Sequence, residues 1–107
     1  METVDFKSGE TIIKNGEKGE FVYIIKSGRI KAVIASYEVI LSGELPDVIG
    51  LEALTNEQYT ETCTAVEDVK LIKCSTREFM DIYANTELGK KALESFVRRT
   101  AKAFGWF

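Results

Sequence analysis

The sequence predicts a mainly β domain, a sandwich or barrel, that carries a short internal helix and ends in C-terminal helices. Three observations predict it. Short β-branched and aromatic runs recur roughly every eight to twelve residues, separated by turn residues. The run at 21–25, Phe-Val-Tyr-Ile-Ile, is apolar without a break, so it belongs between two layers rather than on a solvated sheet. Past Cys74 the apolar period changes from two to between three and four, which marks the passage from strands to helices.

In chain order, Phe6-Lys7-Ser8-Gly9 forms a turn ahead of a strand at 11–14. Gly16 and Gly19 bracket a charged turn that suits positive φ, a strand follows at 21–26, and Ser27-Gly28 turns the chain so that 29–35 returns as the next strand. Further strands are expected at 38–42, 47–49, 61–65 and 69–74. The single proline, Pro46, falls in the turn Gly43-Glu44-Leu45-Pro46, where its fixed φ is tolerated. Between 50 and 58 the alternation stops, and Leu51, Ala53 and Leu54 suggest one or two helical turns.

Ser75 with Glu78 three residues on makes a capping box, and Phe79, Ile82 and Tyr83 give the helix that follows an apolar face. A second helix runs from 87 to 104 after the cap at Asn85-Thr86, and Gly105 ends it. Leu88, Ala92, Leu93, Phe96, Val97, Ala101 and Phe104 step by three and four into one stripe. The stripe can pack on the chain's own barrel or pair with a second copy. The terminal aromatics Trp106 and Phe107 favour pairing, since a free tail is normally polar. Lys90, Lys91, Arg98, Arg99 and Lys102 read as a solvated outer face that also complements the helix dipole, rather than as a nucleic-acid patch.

Composition narrows the function. With 107 residues and a net charge of −3, the chain reads as one ordinary globular domain. Asp5, Lys7 and Glu10 interrupt the start before any signal-peptide core could form, Met1 reads as a natural start, and no apolar run is long enough to span a membrane; the expected location is the cytoplasm. The chain contains no histidine, which removes the commonest general base, metal ligand and pH switch. No convincing nucleophile–base pair is present, so no enzyme, metal or cofactor is expected. Cys63 and Cys74 sit in strand-like segments as small buried thiols, with a redox role for Cys63 as the sharper alternative.

The sequence Gly16-Glu17-Lys18-Gly19-Glu20, the strand after it, Ser27-Gly28 and the next strand resemble the opening of the cyclic-nucleotide-binding domain. This is the effector domain of bacterial catabolite-activator and FNR-type transcription regulators and of regulated kinases and channels. The resemblance implies a jelly-roll β-barrel, or double-stranded β-helix, with the barrel at 1–75 and its C-terminal helices at 76–107. It also implies a non-enzymatic sensory module whose helix at 87–104 pairs through Leu93, Phe96, Val97, Ala101 and Phe104. The helix-turn-helix domain that follows in the transcription factors is absent from these residues, so DNA binding by them is not expected. A metal-holding cupin, a haem sensor and an iron–sulfur sensor are disfavoured by the missing histidines and cysteine clusters.

In that family the phosphate sits at the start of the short helix. A Phe-Gly-Glu-Leu-Ala-Leu run supplies a glutamate for the ribose, and an arginine a few residues later pairs with the phosphate. Here the run is Ile49-Gly50-Leu51-Glu52-Ala53-Leu54, with Leu51 where the glutamate belongs and Glu52 turned about 100° away. Counting back from Ala65 places Tyr59 at the arginine position and Thr60 after it, and no lysine or arginine occurs from 50 to 65. Gly50, Leu51, Glu52, Ala53, Tyr59 and Thr60 are thus the candidate ligand residues, with the phosphate cation missing. The expectation is a module that does not bind cyclic nucleotides but could take an unknown small molecule. Two alternatives stand beside it. One is a true cyclic AMP or cyclic GMP binder that borrows Arg29 or an arginine of the last helix; the other is a structural adaptor whose pocket is filled by its own side chains.

Overall fold

The computed structural model describes residues 1–44 and 46–105. Among these residues eight strands form two four-stranded antiparallel sheets. They are β1 (Glu2–Phe6), β2 (Thr11–Ile13), β3 (Phe21–Ser27), β4 (Arg29–Ile34), β5 (Tyr37–Ser42), β6 (Val48–Ile49), β7 (Thr62–Ala65) and β8 (Val69–Ser75). One sheet has the order β1-β8-β3-β6 and the other β2-β7-β4-β5. This interleaving of early and late strands is that of a jelly roll. A 3₁₀ helix (Leu51–Thr55), α1 (Thr76–Ile82) and α2 (Glu87–Ala103) complete the fold.

Two expectations are corrected. The strands on either side of Ser27-Gly28 do not pair with each other: β3 pairs with β8 and β6, whereas β4 pairs with β5 and β7. Gly28 is therefore the corner where the chain leaves one sheet for the other. The other correction is β1, which the sequence did not announce. It is an edge strand whose residues are exposed or only half-buried, and its five-residue register with β8 supplies the order that its weak apolar alternation does not.

The remaining strands follow the sequence closely. Val22 to Ile25 are all buried, as a run between two layers requires. From the facing sheet, Ile30, Ala32, Cys63 and Ala65 point inward, with Ile30 opposite Ala65 and Ala32 opposite Cys63. The turn at Gly16–Gly19 is clamped onto the segment before β7. Gly16 N–H donates to the Tyr59 carbonyl at 2.9 Å, Tyr59 N–H to the Glu17 carbonyl at 2.9 Å, and Gly19 N–H to the Glu57 carbonyl at 3.1 Å.

The capping box forms as expected. Glu78 N–H donates to Ser75 Oγ and Ser75 N–H to Glu78 Oε1. Helix α2 starts at the Thr86 cap, stops one residue before the expected end, and lies against β4, β5 and β6. Gly105, at φ 70°, follows it. Trp106 and Phe107, which favoured pairing in the sequence reading, lie outside the described residues.

Where α1 turns into α2, a Cβ on Gly89 would collide with the Tyr83 carbonyl oxygen and lie 3.1 Å from that of Ala84. These are backbone atoms of the link between the two helices, which cannot swing aside as a side chain could. Gly89→Ala is expected to destabilise the domain by about 1–3 kcal/mol, the usual cost of overpacking. A urea midpoint equal to that of the parent would refute this close approach.

Candidate functional site

The candidate ligand residues converge where β3, the 3₁₀ helix and the segment before β7 meet. Gly50 is the N-cap of the 3₁₀ helix at φ 86°, and Asn56 ends that helix at φ 62°. Leu51, Glu52 and Ala53 are buried. The Glu52 carboxylate turns to Thr60: the Thr60 N–H and hydroxyl both donate to Glu52 Oε2 at 2.6 Å. Its use inside the protein agrees with the 100° offset that the sequence spacing implies.

Tyr59 is buried, and its hydroxyl makes two bonds to one residue. It donates to the Phe21 carbonyl at 2.7 Å and accepts the Phe21 N–H at 3.1 Å. The reason lies in the sheet. β6 pairs with β3 only at Tyr23 and Ile24, so the edge of β3 beyond them needs another partner. The phenol supplies both a donor and an acceptor there. Burial raises its pKa, which holds it in the protonated form that these two bonds require.

Two of the arginines that could stand in for a missing phosphate cation, Arg29 and Arg99, are engaged elsewhere. Arg29 pairs with Glu67 at the protein surface, Nη2 to Oε1 at 3.2 Å. Arg99 was read as part of a solvated face, and this is corrected: it is 3 % exposed and points into the protein. Its Nε and Nη2 donate to the two oxygens of Glu61, itself 0 % exposed, at 2.8 and 2.9 Å. Nη1 donates to Ser95 Oγ at 2.8 Å, and Nη2 also reaches the Val48 carbonyl at 3.4 Å. Burial alone would lower the Arg99 pKa, but the Glu61 carboxylate outweighs it and the net shift is upward.

Sequence reasoning missed this pair, although a signal was present. Glu61, Cys63 and Ala65 alternate along one strand, so an acidic group shares the inward face and requires a cation. Ala92 and Arg99, seven residues apart, lie on one face of α2. Cys63 is buried beside the pair, and burial, followed by the Glu61 charge, pushes its thiol well above the ordinary range. That environment opposes the thiolate that redox sensing needs.

The α2 stripe divides. Ala92 and Ala101 are buried, whereas Leu93 is 59 % and Val97 53 % exposed, and Phe104 is exposed as well. Phe96 is half-buried and packs on the core. Of the five residues expected at a paired interface, Ala101 therefore faces inward.

The family model described as the cyclic nucleotide-binding domain matches residues 3–86. The chain belongs to that family. The cyclic-nucleotide-binding domain is 33% identical over 64 residues to a cAMP-dependent protein kinase regulatory subunit of Debaryomyces hansenii, covering 60% of this chain and 14% of that protein. It is 30% identical over 77 residues to a cGMP-dependent protein kinase of Toxoplasma gondii, covering 72% of this chain and 8% of the kinase. The domain thus spans a small part of the curated relatives it matches.

Among solved structures, the cGMP-bound EAL enzyme Bd1971 shares the fold with a TM-score of 0.68 at 23% identity, over 97% of this chain and 29% of that one. The regulatory subunit of a cAMP-independent protein kinase A from Trypanosoma brucei does so with a TM-score of 0.63 at 23% identity, over 94% of this chain and 36% of that one. These likenesses show the cyclic-nucleotide-binding fold. Among the described residues no helix is long and apolar enough to cross a membrane.

Proposed function

We propose that the chain is a non-enzymatic, cytoplasmic regulatory module of the cyclic-nucleotide-binding family that does not recognise cyclic nucleotides and works as a self-associating unit. The observation that carries this reading is Tyr59. At the position where the family's arginine is expected stands a phenol committed to the Phe21 backbone. No lysine or arginine accompanies it between 50 and 65, and Glu52, Glu57 and Glu61 are the charged groups there. A phosphate would meet carboxylates where it needs a bidentate cation. Family membership leaves the point open, because the relatives include both a cAMP-dependent regulatory subunit and a cAMP-independent one.

Thermal unfolding with millimolar cyclic AMP or cyclic GMP tests the reading. A nucleotide present at a hundred times its dissociation constant would add about 2.7 kcal/mol, on the order of 10 °C for a domain of this size. The expected result is an unchanged melting temperature with both nucleotides. A rise of several degrees with either would restore the alternative in which an arginine from elsewhere completes the site.

Self-association rests on the outward row of α2, where Leu93 and Val97 stand exposed one turn apart. Sedimentation at increasing concentration is expected to show a dimer that Val97→Asp dissociates. A strict monomer at every concentration would remove this part of the proposal.

A further inference from the structure

Four charged side chains are buried among the described residues: Asp47, Glu52, Glu61 and Arg99. Three of the four are acids. Two of these accept from uncharged donors nearby, Glu52 from Thr60 and Asp47 Oδ2 from the Ser42 N–H at 2.9 Å. Glu61 differs, since both of its oxygens go to the Arg99 guanidinium. Arg99 is also the one long side chain that α2 buries fully, the others being Gly89, Ala92 and Ala101.

The groups that receive this guanidinium belong mainly to the barrel. Glu61 directly precedes β7 and, two positions from Cys63 and four from Ala65, shares their inward face. Ile25 N–H donates to the Asp47 carbonyl at 2.9 Å, so the carbonyl of the next residue, Val48, turns to the free edge of β6. A carboxylate from one sheet and a carbonyl from the other thus converge, and no residue of α2 places either. Ser95 Oγ is the one acceptor that the helix contributes.

The socket adjoins open space. A cavity of about 190 Å³ between β5 and α2 has Asp47, Ser95 and Arg99 in its wall. Arg98 and Lys102 line it too, so attraction for a further cation has to come from Glu61 and Asp47 rather than from the cavity as a whole.

We infer that the space between the two sheets is a preformed receptor for a guanidinium group, with Arg99 of α2 as its tethered occupant and alkylguanidines as the class of small molecule it accepts when that side chain is removed. A carboxylate and a carbonyl fixed at this spacing match the planar fork of a guanidinium, which an ammonium group does not reproduce. The inference does not rest on the absence of nucleotide binding, and no nucleotide enters its test.

Arg99→Ala removes the side chain beyond Cβ, and ethylguanidinium consists of the atoms removed. Thermal unfolding of the full-length variant is followed while ethylguanidinium is titrated at constant ionic strength, with ethylammonium as the comparison. At about ten times its dissociation constant the guanidine should raise the melting temperature by about 5–10 °C. Ethylammonium should give a small fraction of that rise. The parent chain, whose socket is filled, should gain nothing, and neither should the double variant Arg99→Ala, Glu61→Gln. If Arg99→Ala is unfolded in buffer, trimethylamine N-oxide restores the compact state and the same titration is made there.

No saturable rise in Arg99→Ala would overturn the proposal, as would an equal rise with ethylammonium. A rise in the parent, or one that survives Glu61→Gln, would place the guanidine elsewhere and do the same.

Discussion

Arg99→Met is expected to lower the stability of the domain by about 3–5 kcal/mol, because it leaves the Glu61 carboxylate buried without its cation. Total stabilities of small domains are about 5–15 kcal/mol, so this single change brings the fold close to its limit. The loss should not be additive. In the double variant Arg99→Met, Glu61→Leu, two apolar side chains of similar size replace the ions, and most of the stability should return. Urea unfolding followed by circular dichroism supplies the four corners of that cycle. If Arg99→Met unfolds within about 0.5 kcal/mol of the parent, the pair does not hold α2 to the barrel. The pair should also be nearly indifferent to added salt, since screening acts weakly on charges withdrawn from solvent.

Tyr59 carries the other large effect. Tyr59→Ala removes a buried ring and its two hydrogen bonds and should cost about 3–5 kcal/mol. Tyr59→Phe isolates the polar part. It keeps the ring but strands the N–H and carbonyl of Phe21, at a cost of about 1–3 kcal/mol. Tyr59→Arg restores the residue type that the family uses for phosphate, yet it should lose stability as Tyr59→Phe does and gain no affinity for cyclic AMP in an equilibrium titration. Micromolar binding by Tyr59→Arg would show that the missing cation was the whole defect and that the Tyr59–Phe21 contact is incidental.

How far the sequence could be read depended on whether the determining contact was local. The Ser75–Glu78 capping box, the turn at Ser27-Gly28 and the end of α2 before Gly105 are set by residues within a few positions of each other, and all were legible, whereas the change of sheet at Gly28 depends on distant partners and was not. The core of β3 was legible from its unbroken apolar run. Strand β1 was not, because an exposed edge strand takes its order from β8, more than sixty residues away. The Arg99–Glu61 pair was hidden by a separation of 38 residues. Each half looked ordinary by itself, a basic residue on an amphipathic helix and an acidic one at a strand's start. At the candidate site, the absence of a cation could be read directly, but what Tyr59 does instead could not. Its partner is a backbone edge left over when β6 ends, and no residue type in the sequence marks such a position.

The grip on Arg99 also governs a surface it never touches. Ser95 on α2 itself steadies the guanidinium, and Glu61 and Val48 hold it from the barrel, so the side chain keys α2 in rotation as well as in position. A slip of one residue would swing Arg99 by about 100° and carry it out of its socket. Leu93 and Val97 are rigidly geared to it along the same helix, so their bearing on the outside of the molecule is set from within. A partner that reads this outer row therefore also reads, at second hand, whether the inner lock is closed.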